Sequence, residues 1–138
     1  MAENGDCIFC KIIRNEIPSS KIVEDDKLIT FLDINPVNKG HVLVVPKEHL
    51  ETLLDISDNL MKEMMVAAKK VAKSMRKALK ADGINLGMNN FPAAGQVVMH
   101  AHLHVIPRFE NDGLVHWPSK KYDEGEVDKI RELIATFV

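Results

Sequence analysis

No run of apolar residues in this chain approaches the ~20 residues that a membrane-spanning helix needs. No partner in a membrane is expected. Positive charge is not in excess either. The 18 Lys and Arg stand against 20 Asp and Glu, a formal net charge of −2. That leaves no global attraction for nucleic acid or an anionic bilayer. The first six residues are polar and lack the basic and then apolar regions of a secretory signal, so the expected location is cytoplasmic. Repeats and low-complexity tracts are absent. Cysteine is limited to Cys7 and Cys10. In a reducing compartment a Cys-x-x-Cys pair is more often a metal or redox site than a structural disulfide.

What the chain does have fits one soluble domain over residues 1–138. Hydrophobic residues make up 46% and charged ones 28% of the 138 positions, an ordinary globular balance. A chain of this length buries roughly two-thirds of its unfolded surface.

Half of the six histidines fall within five residues, in the stretch Val97-Val98-Met99-His100-Ala101-His102-Leu103-His104-Val105-Ile106-Pro107. Read as a β-strand, this puts His100, His102 and His104 on one face. Met99, Ala101, Leu103 and Val105 then share the other and can enter a core. Strict alternation of three histidines with small or apolar residues points to a chemical site.

The remaining elements follow from periodicity and punctuation. Residues 7–14 read as a short helix capped by Asp6 and broken by Pro18. Residues 21–24 and 27–32 form a hairpin around Asp25-Asp26. After a turn-rich loop, residues 41–45 are a continuous apolar strand ended by Pro46. A long helix spans about residues 58–81, capped by Ser57 or Asp58. Its apolar side chains fill an arc of roughly 160°, wider than the ~100° stripe of a surface helix. Such an arc suits contact with the chain's own sheet and with a second surface such as a partner subunit. Lys62, Lys69, Lys73, Lys77 and Lys80 form the opposite, solvated face. Residues 84–89 alternate as a strand, residues 90–96 are a loop, and residues 126–137 are a C-terminal helix. Helices flanking largely antiparallel strands indicate an α+β fold.

Four features carry chemistry. His102 is the first: a neutral imidazole is a good nucleophile near pH 7, and attack on phosphorus would give a hydrolysable phosphoimidazole. Second, Gly95 permits close approach of backbone to a ligand, and Gln96 can donate through its amide. Third, two thiolates at Cys7 and Cys10 need two further ligands to close a tetrahedral zinc site. The candidates are His41, His49, His100, His102, His104 and His116, and a redox pair at a helix N-terminus is the rival reading. Fourth, Asp33 ends the second hairpin strand, where a carboxylate can accept bonds from a ribose diol or serve as a turn residue.

Together these residues resemble the histidine triad (HIT) family, whose His-φ-His-φ-His-φ-φ motif appears as His100-Ala101-His102-Leu103-His104-Val105-Ile106. The resemblance covers nearly the whole chain. It includes Cys7-Ile8-Phe9-Cys10-Lys11-Ile12-Ile13, Phe31-Leu32-Asp33-Ile34, Gly40-His41-Val42-Leu43-Val44-Val45-Pro46 and Ala94-Gly95-Gln96. The chain is most similar to bacterial-type members of the Hint branch. The resemblance implies a five-stranded antiparallel sheet with a long helix and a C-terminal helix, paired in a homodimer into ten strands with the long helix at the interface. It implies hydrolysis or transfer at the α-phosphorus of a purine nucleoside monophosphate conjugate, with His102 as nucleophile and His41 and His104 in support. Asn89, Gly95, Gln96 and Val97 would surround the phosphate. Asp33 would bind the ribose, and Ile8, Phe9, Phe31 and Ile34 would wall the base. Structural zinc would be held by Cys7, Cys10, His49 and His100. One position departs from the pattern: Val97 stands where much of the family has a hydroxyl residue, so His104, His41 or water would have to protonate the leaving group. Trp117 lies in a tail that can reach a partner's site in relatives. A non-catalytic nucleotide-binding regulatory dimer is the alternative.

Overall fold

In the computed structural model, residues 5–138 are described. Helix α1 covers Ile8–Ile13 and is followed by strands β1 (Lys21–Glu24), β2 (Leu28–Leu32) and β3 (Val42–Pro46). The long helix α2 (Asp58–Ala78) precedes β4 (Gly83–Gly87), β5 (Leu103–Arg108) and helix α3 (Glu126–Ala135). The five strands form one sheet in the order β1-β2-β3-β5-β4, and every neighbouring pair is antiparallel. None of the helices is long and apolar enough to cross a membrane, among the described residues.

Local signals explain most boundaries. The Asp25 carboxylate accepts the N–H groups of Lys27 and Leu28, each at 2.8 Å, and so closes the first hairpin. The Ser57 hydroxyl accepts the Leu60 N–H at 3.2 Å and starts α2. That helix stops short of residue 81: Lys80 takes the left-handed conformation, and the Arg76 guanidinium folds over the carbonyls of Ala81 and Asp82. At α1 the cap is Cys7 and not Asp6, because the Cys7 sulfur accepts the Cys10 N–H.

The central strands are covered on both faces. Met64, Ala68, Val71 and Met75 form the buried stripe of α2, and they pack with Leu28, Val42, Val44, Leu103 and Val105. On the opposite face Phe9 and Ile12 of α1 pack on Ile29, Phe31, Leu43 and Val45. Of the rest of the wide apolar arc, Leu60, Met61, Ala67 and Ala72 are half-buried against the same core, while Met65 and, at the C-cap, Leu79 are exposed. Helix α3 buries no residue against the body.

The histidine stretch is not one continuous strand. Pairing in β5 begins at Leu103, so His100 and His102 precede the ladder and only His104 lies within it. The cause is across the sheet. Pro46, at the end of β3, has no N–H, and its carbonyl is taken by the His100 ring. The Ala101 N–H goes instead to the Leu50 carbonyl at 2.6 Å. Alternation nevertheless survives in the face each side chain takes: Ala101, Leu103 and Val105 enter the core against α2, whereas His100 and His102, also buried, turn to the other face; Met99, expected on the core face, remains exposed.

Gly40 positions the strand that begins with His41's neighbour Val42. It has φ +98°, and a Cβ there would lie 2.5 Å from Leu79 Cδ1 and 3.4 Å from Pro107 Cγ. Gly40→Ala is therefore expected to lower stability by about 1–3 kcal/mol, through backbone strain and overpacking. Denaturant unfolding measures it, and an unchanged midpoint would contradict this account of the turn.

Candidate active site

Two groups of side chains meet where α1 leans on the sheet. In the first, Cys7 and Cys10 come from α1, His49 from the turn after β3, and His100 from the segment before β5. Cys7 Sγ lies 3.4 Å and Cys10 Sγ 3.6 Å from His100 Nδ1; Cys10 Sγ and His100 Nδ1 are each 3.2 Å from His49 Nδ1. Tetrahedral zinc, with Zn–N near 2.0–2.1 Å and Zn–S near 2.3 Å, requires N–N edges of about 3.3 Å and S–N edges of about 3.6 Å. The four donors are thus already spaced as a closed metal site. His100 Nε2–H donates to the Pro46 carbonyl at 2.7 Å. That fixes the tautomer and leaves the Nδ1 lone pair directed at the cluster, the usual outer bond of a metal-ligating histidine.

Tautomers in the second group are set in the same way. The His102 Nδ1–H donates to the His100 carbonyl at 2.6 Å. Its Nε2 therefore keeps a free lone pair. The Val37 N–H donates to His41 Nδ1 at 3.1 Å. So His41 carries its proton on Nε2 and donates to His104 Nδ1 at 2.8 Å. His104 in turn must be protonated on Nε2, and that buried nitrogen has no partner. Asp33 Oδ2 stands 3.8 Å from His41 Nε2, and Oδ1 accepts the Asn35 N–H at 2.8 Å.

Burial keeps these rings neutral. Desolvation pushes His102 and His41 below the ordinary histidine value, against the opposing influence of the His100 carbonyl on His102 and of Asp33 on both. It pushes His104 down to about 4, helped by His102 and His41.

His102 and His104 line a cavity of about 380 Å³. That lies within the roughly 300–1,000 Å³ of small-molecule sites. Ile8, Phe9, Phe31, Asp33, Ile34, Asn89, Gly95 and Val97 line it too, so most of the residues singled out in the sequence come together. His41 sits behind His104. Gln96 does not reach the cavity: its buried amide donates to the carbonyls of Glu51 (2.6 Å) and Val98 (3.1 Å) and accepts the Phe91 N–H (2.8 Å). It shapes the loop whose backbone turns at Gly95, which has φ +92°. Sequence reasoning missed Ile17, Ser19, Leu43 and Val98 in the wall. Ile17 and Ser19 flank Pro18, which reads only as a helix breaker. A second cavity, of about 520 Å³, opens on the far side of His41 and His104 and is lined by Asn85, Arg108, His116 and Trp117.

Because these histidines titrate lower in the folded protein, the unfolded chain binds more protons between pH 6.5 and about 4. Stability should fall as pH drops through that window. His104→Asn, which removes one such group, should lessen the fall relative to wild type. Urea midpoints measured from pH 7 to 4 test this, and equal slopes for the two proteins would contradict it.

A family model described as "HIT domain" matches residues 14–111. The adenosine 5'-monophosphoramidase of Saccharomyces cerevisiae is 45% identical over 132 residues, 94% of this chain and 81% of that protein. The crystal structure of a HIT family member from Bacillus subtilis superposes with a TM-score of 0.88 at 39% identity, covering 96% of this chain and 97% of that one. A Zn-bound histidine triad family protein from Mycobacterium smegmatis gives 0.77 at 33% identity, covering 95% and 97%. With the domain match extending over most of the chain, and His102 and His104 at one cavity while His100 joins the cysteine cluster, this protein belongs to the HIT family.

Proposed function

We propose that this chain is a nucleotide hydrolase or nucleotidyl transferase acting at the α-phosphorus of purine nucleoside monophosphate conjugates, phosphoramidates or dinucleoside polyphosphates. The observation that carries the reading is the His102 tautomer. With Nδ1–H committed to the His100 carbonyl, the Nε2 lone pair faces the cavity and is available to phosphorus. His102 Nε2 forms the bond to phosphorus as the bond to the leaving group breaks. Water then cleaves the phosphoimidazole and returns His102 to its starting state. His104 Nε2–H, the unpartnered donor beside it, supplies a hydrogen bond to the phosphoryl or departing group. Water supplies the leaving group's proton, the part that Val97 cannot play. The names of the yeast relative and of an adenylylsulfatase in Arabidopsis thaliana, 44% identical over 84% of this chain, support this chemistry.

In the substrate pose we propose, Ile8, Phe9, Phe31 and Ile34 enclose the base, and Asp33 accepts the ribose hydroxyls. Backbone at Gly95 and Val97, with Asn89, borders the phosphate; the Gln96 side chain holds that loop in place. Cys7, Cys10, His49 and His100 would hold a structural zinc that ties α1 to the segment before β5. The chain acts as a cytoplasmic homodimer, and the exposed Met65 of α2, Leu79 at its C-cap and Leu86 of β4 suit burial against a second copy.

Incubation with an α-labelled adenosine phosphoramidate and rapid quenching should trap label on wild-type protein. His102→Ala should lose both label and turnover, by more than about 1,000-fold. Equal turnover by the two would overturn the nucleophile. Absence of turnover with every nucleotide conjugate, alongside tight nucleotide binding, would support the regulatory dimer instead. Since His102 titrates below the ordinary value, it stays neutral as pH falls to 6.5, and the acid limb of kcat/KM should lie below 6.5. Elemental analysis should find about one zinc per chain, lost in Cys7→Ser.

A further inference from the structure

Two buried side-chain polar atoms lack a hydrogen-bond partner among the described residues: His104 Nε2 and Ser19 Oγ. Both residues line the same cavity. Buried polar atoms are nearly always paired, so each orphan needs an explanation. The His104 nitrogen has one in the phosphoryl chemistry above. Ser19 has none.

Backbone hydrogen bonds flank the serine on both sides. The Ile17 N–H bonds the Lys11 carbonyl at 3.4 Å, and the Ser20 carbonyl accepts the Leu32 N–H at 3.0 Å. The segment between is thereby laid along the end of β2, next to Phe31 and Asp33. Ile17 and Pro18 join Ile8, Phe9, Phe31 and Leu43 as apolar wall. The other polar lining residues stand elsewhere: Asp33 and Asn35 after β2, Asn89 before the glycine turn, and His102 and His104 on the triad. Against this apolar surface a flat base can pack, and Ser19 is the hydroxyl available to its edge.

Resting on the purine-nucleotide reading, we infer that Ser19 is a specificity-determining residue whose hydroxyl hydrogen-bonds a heteroatom on the purine edge. Rotation about a single χ1 brings Oγ from its unpartnered position into the cavity. A hydroxyl both donates and accepts. It can therefore meet a ring nitrogen, an exocyclic amine or a carbonyl. Purines are distinguished from bases that present no such atom at that point, but adenine need not be separated from guanine.

Equilibrium binding of AMP is compared with binding of 1-deaza-, 3-deaza- and 7-deaza-AMP and purine riboside 5'-monophosphate, each lacking one heteroatom. Wild type should bind one of these analogues about 3- to 10-fold more weakly than AMP. Ser19→Ala should weaken AMP by the same factor and bind that analogue as wild type does, so that the discrimination disappears. Ser19→Thr should restore it. Removing an unpartnered hydroxyl should leave the melting temperature equal or higher; a lower one would mean that Oγ supports the fold, against the proposal. If Ser19→Ala keeps the wild-type discrimination, or weakens all five ligands alike, the role of Ser19 is wrong while the nucleotide reading stands. A wild type that binds none of the five overturns both.

Discussion

The convergence of Cys7, Cys10, His49 and His100 is the constraint on which the rest of the site depends. Helix α1 has only six residues, too few to be stable by its own hydrogen bonds. It is held by its sulfurs and by Phe9 and Ile12 beneath it. Yet this helix supplies Ile8 and Phe9 to the cavity wall. The same cluster fixes His100, and the His100 carbonyl sets the proton position of His102. Cavity wall and His102 therefore share one anchor. Phe9 expresses this directly: its ring meets Phe31, His100 and His102 edge-on, with centroids 5.7, 5.9 and 5.0 Å away.

Protons in the site are assigned by the backbone. The Val37 N–H and the carbonyls of Pro46 and His100 each bond one imidazole nitrogen, and each bond decides what the opposite nitrogen can do. Three histidines of similar chemistry thus acquire three states: a lone pair toward the sulfurs, a lone pair toward the cavity, and an N–H without a partner. No carboxylate has to touch His102 for this. Asp33 acts at a distance: 3.8 Å from His41 Nε2, its charge favours the protonated form of both His41 and His102.

Much of this was legible in the chain. Alternation between residues 100 and 105 correctly separated Ala101, Leu103 and Val105 from the histidines, because that parity depends on which side faces α2; Met99, expected on the same side, lies beyond the core and is exposed. The extent of the strand was not legible, since its limit is imposed by Pro46, more than fifty positions away in sequence. The continuous apolar run at 42–45 correctly implied a strand buried on both faces. Gln96 could be placed near the site from its neighbours, but whether its amide faced ligand or loop depended on the carbonyls of Glu51 and Val98. Ser19 offered no signal, as a serine after a proline is ordinary. Its importance arises only from an unpaired oxygen in an apolar wall. The cap at α1 was misplaced by one residue because the Cys7 sulfur, already turned toward the cluster, also receives the Cys10 N–H.

The tail carries one more consequence. Trp117 is the chain's only tryptophan, 91% exposed, at the rim of the cavity that adjoins His41 and His104. Indole emission shifts to shorter wavelength when the ring leaves water. The protein therefore has a native fluorophore beside His41 and His104, outside the cavity walled by Ile8, Phe9 and Phe31, and free of background from other indoles. Filling of the space beside Trp117 by a ligand, or its covering by a second copy, can be followed as a change in colour without any label.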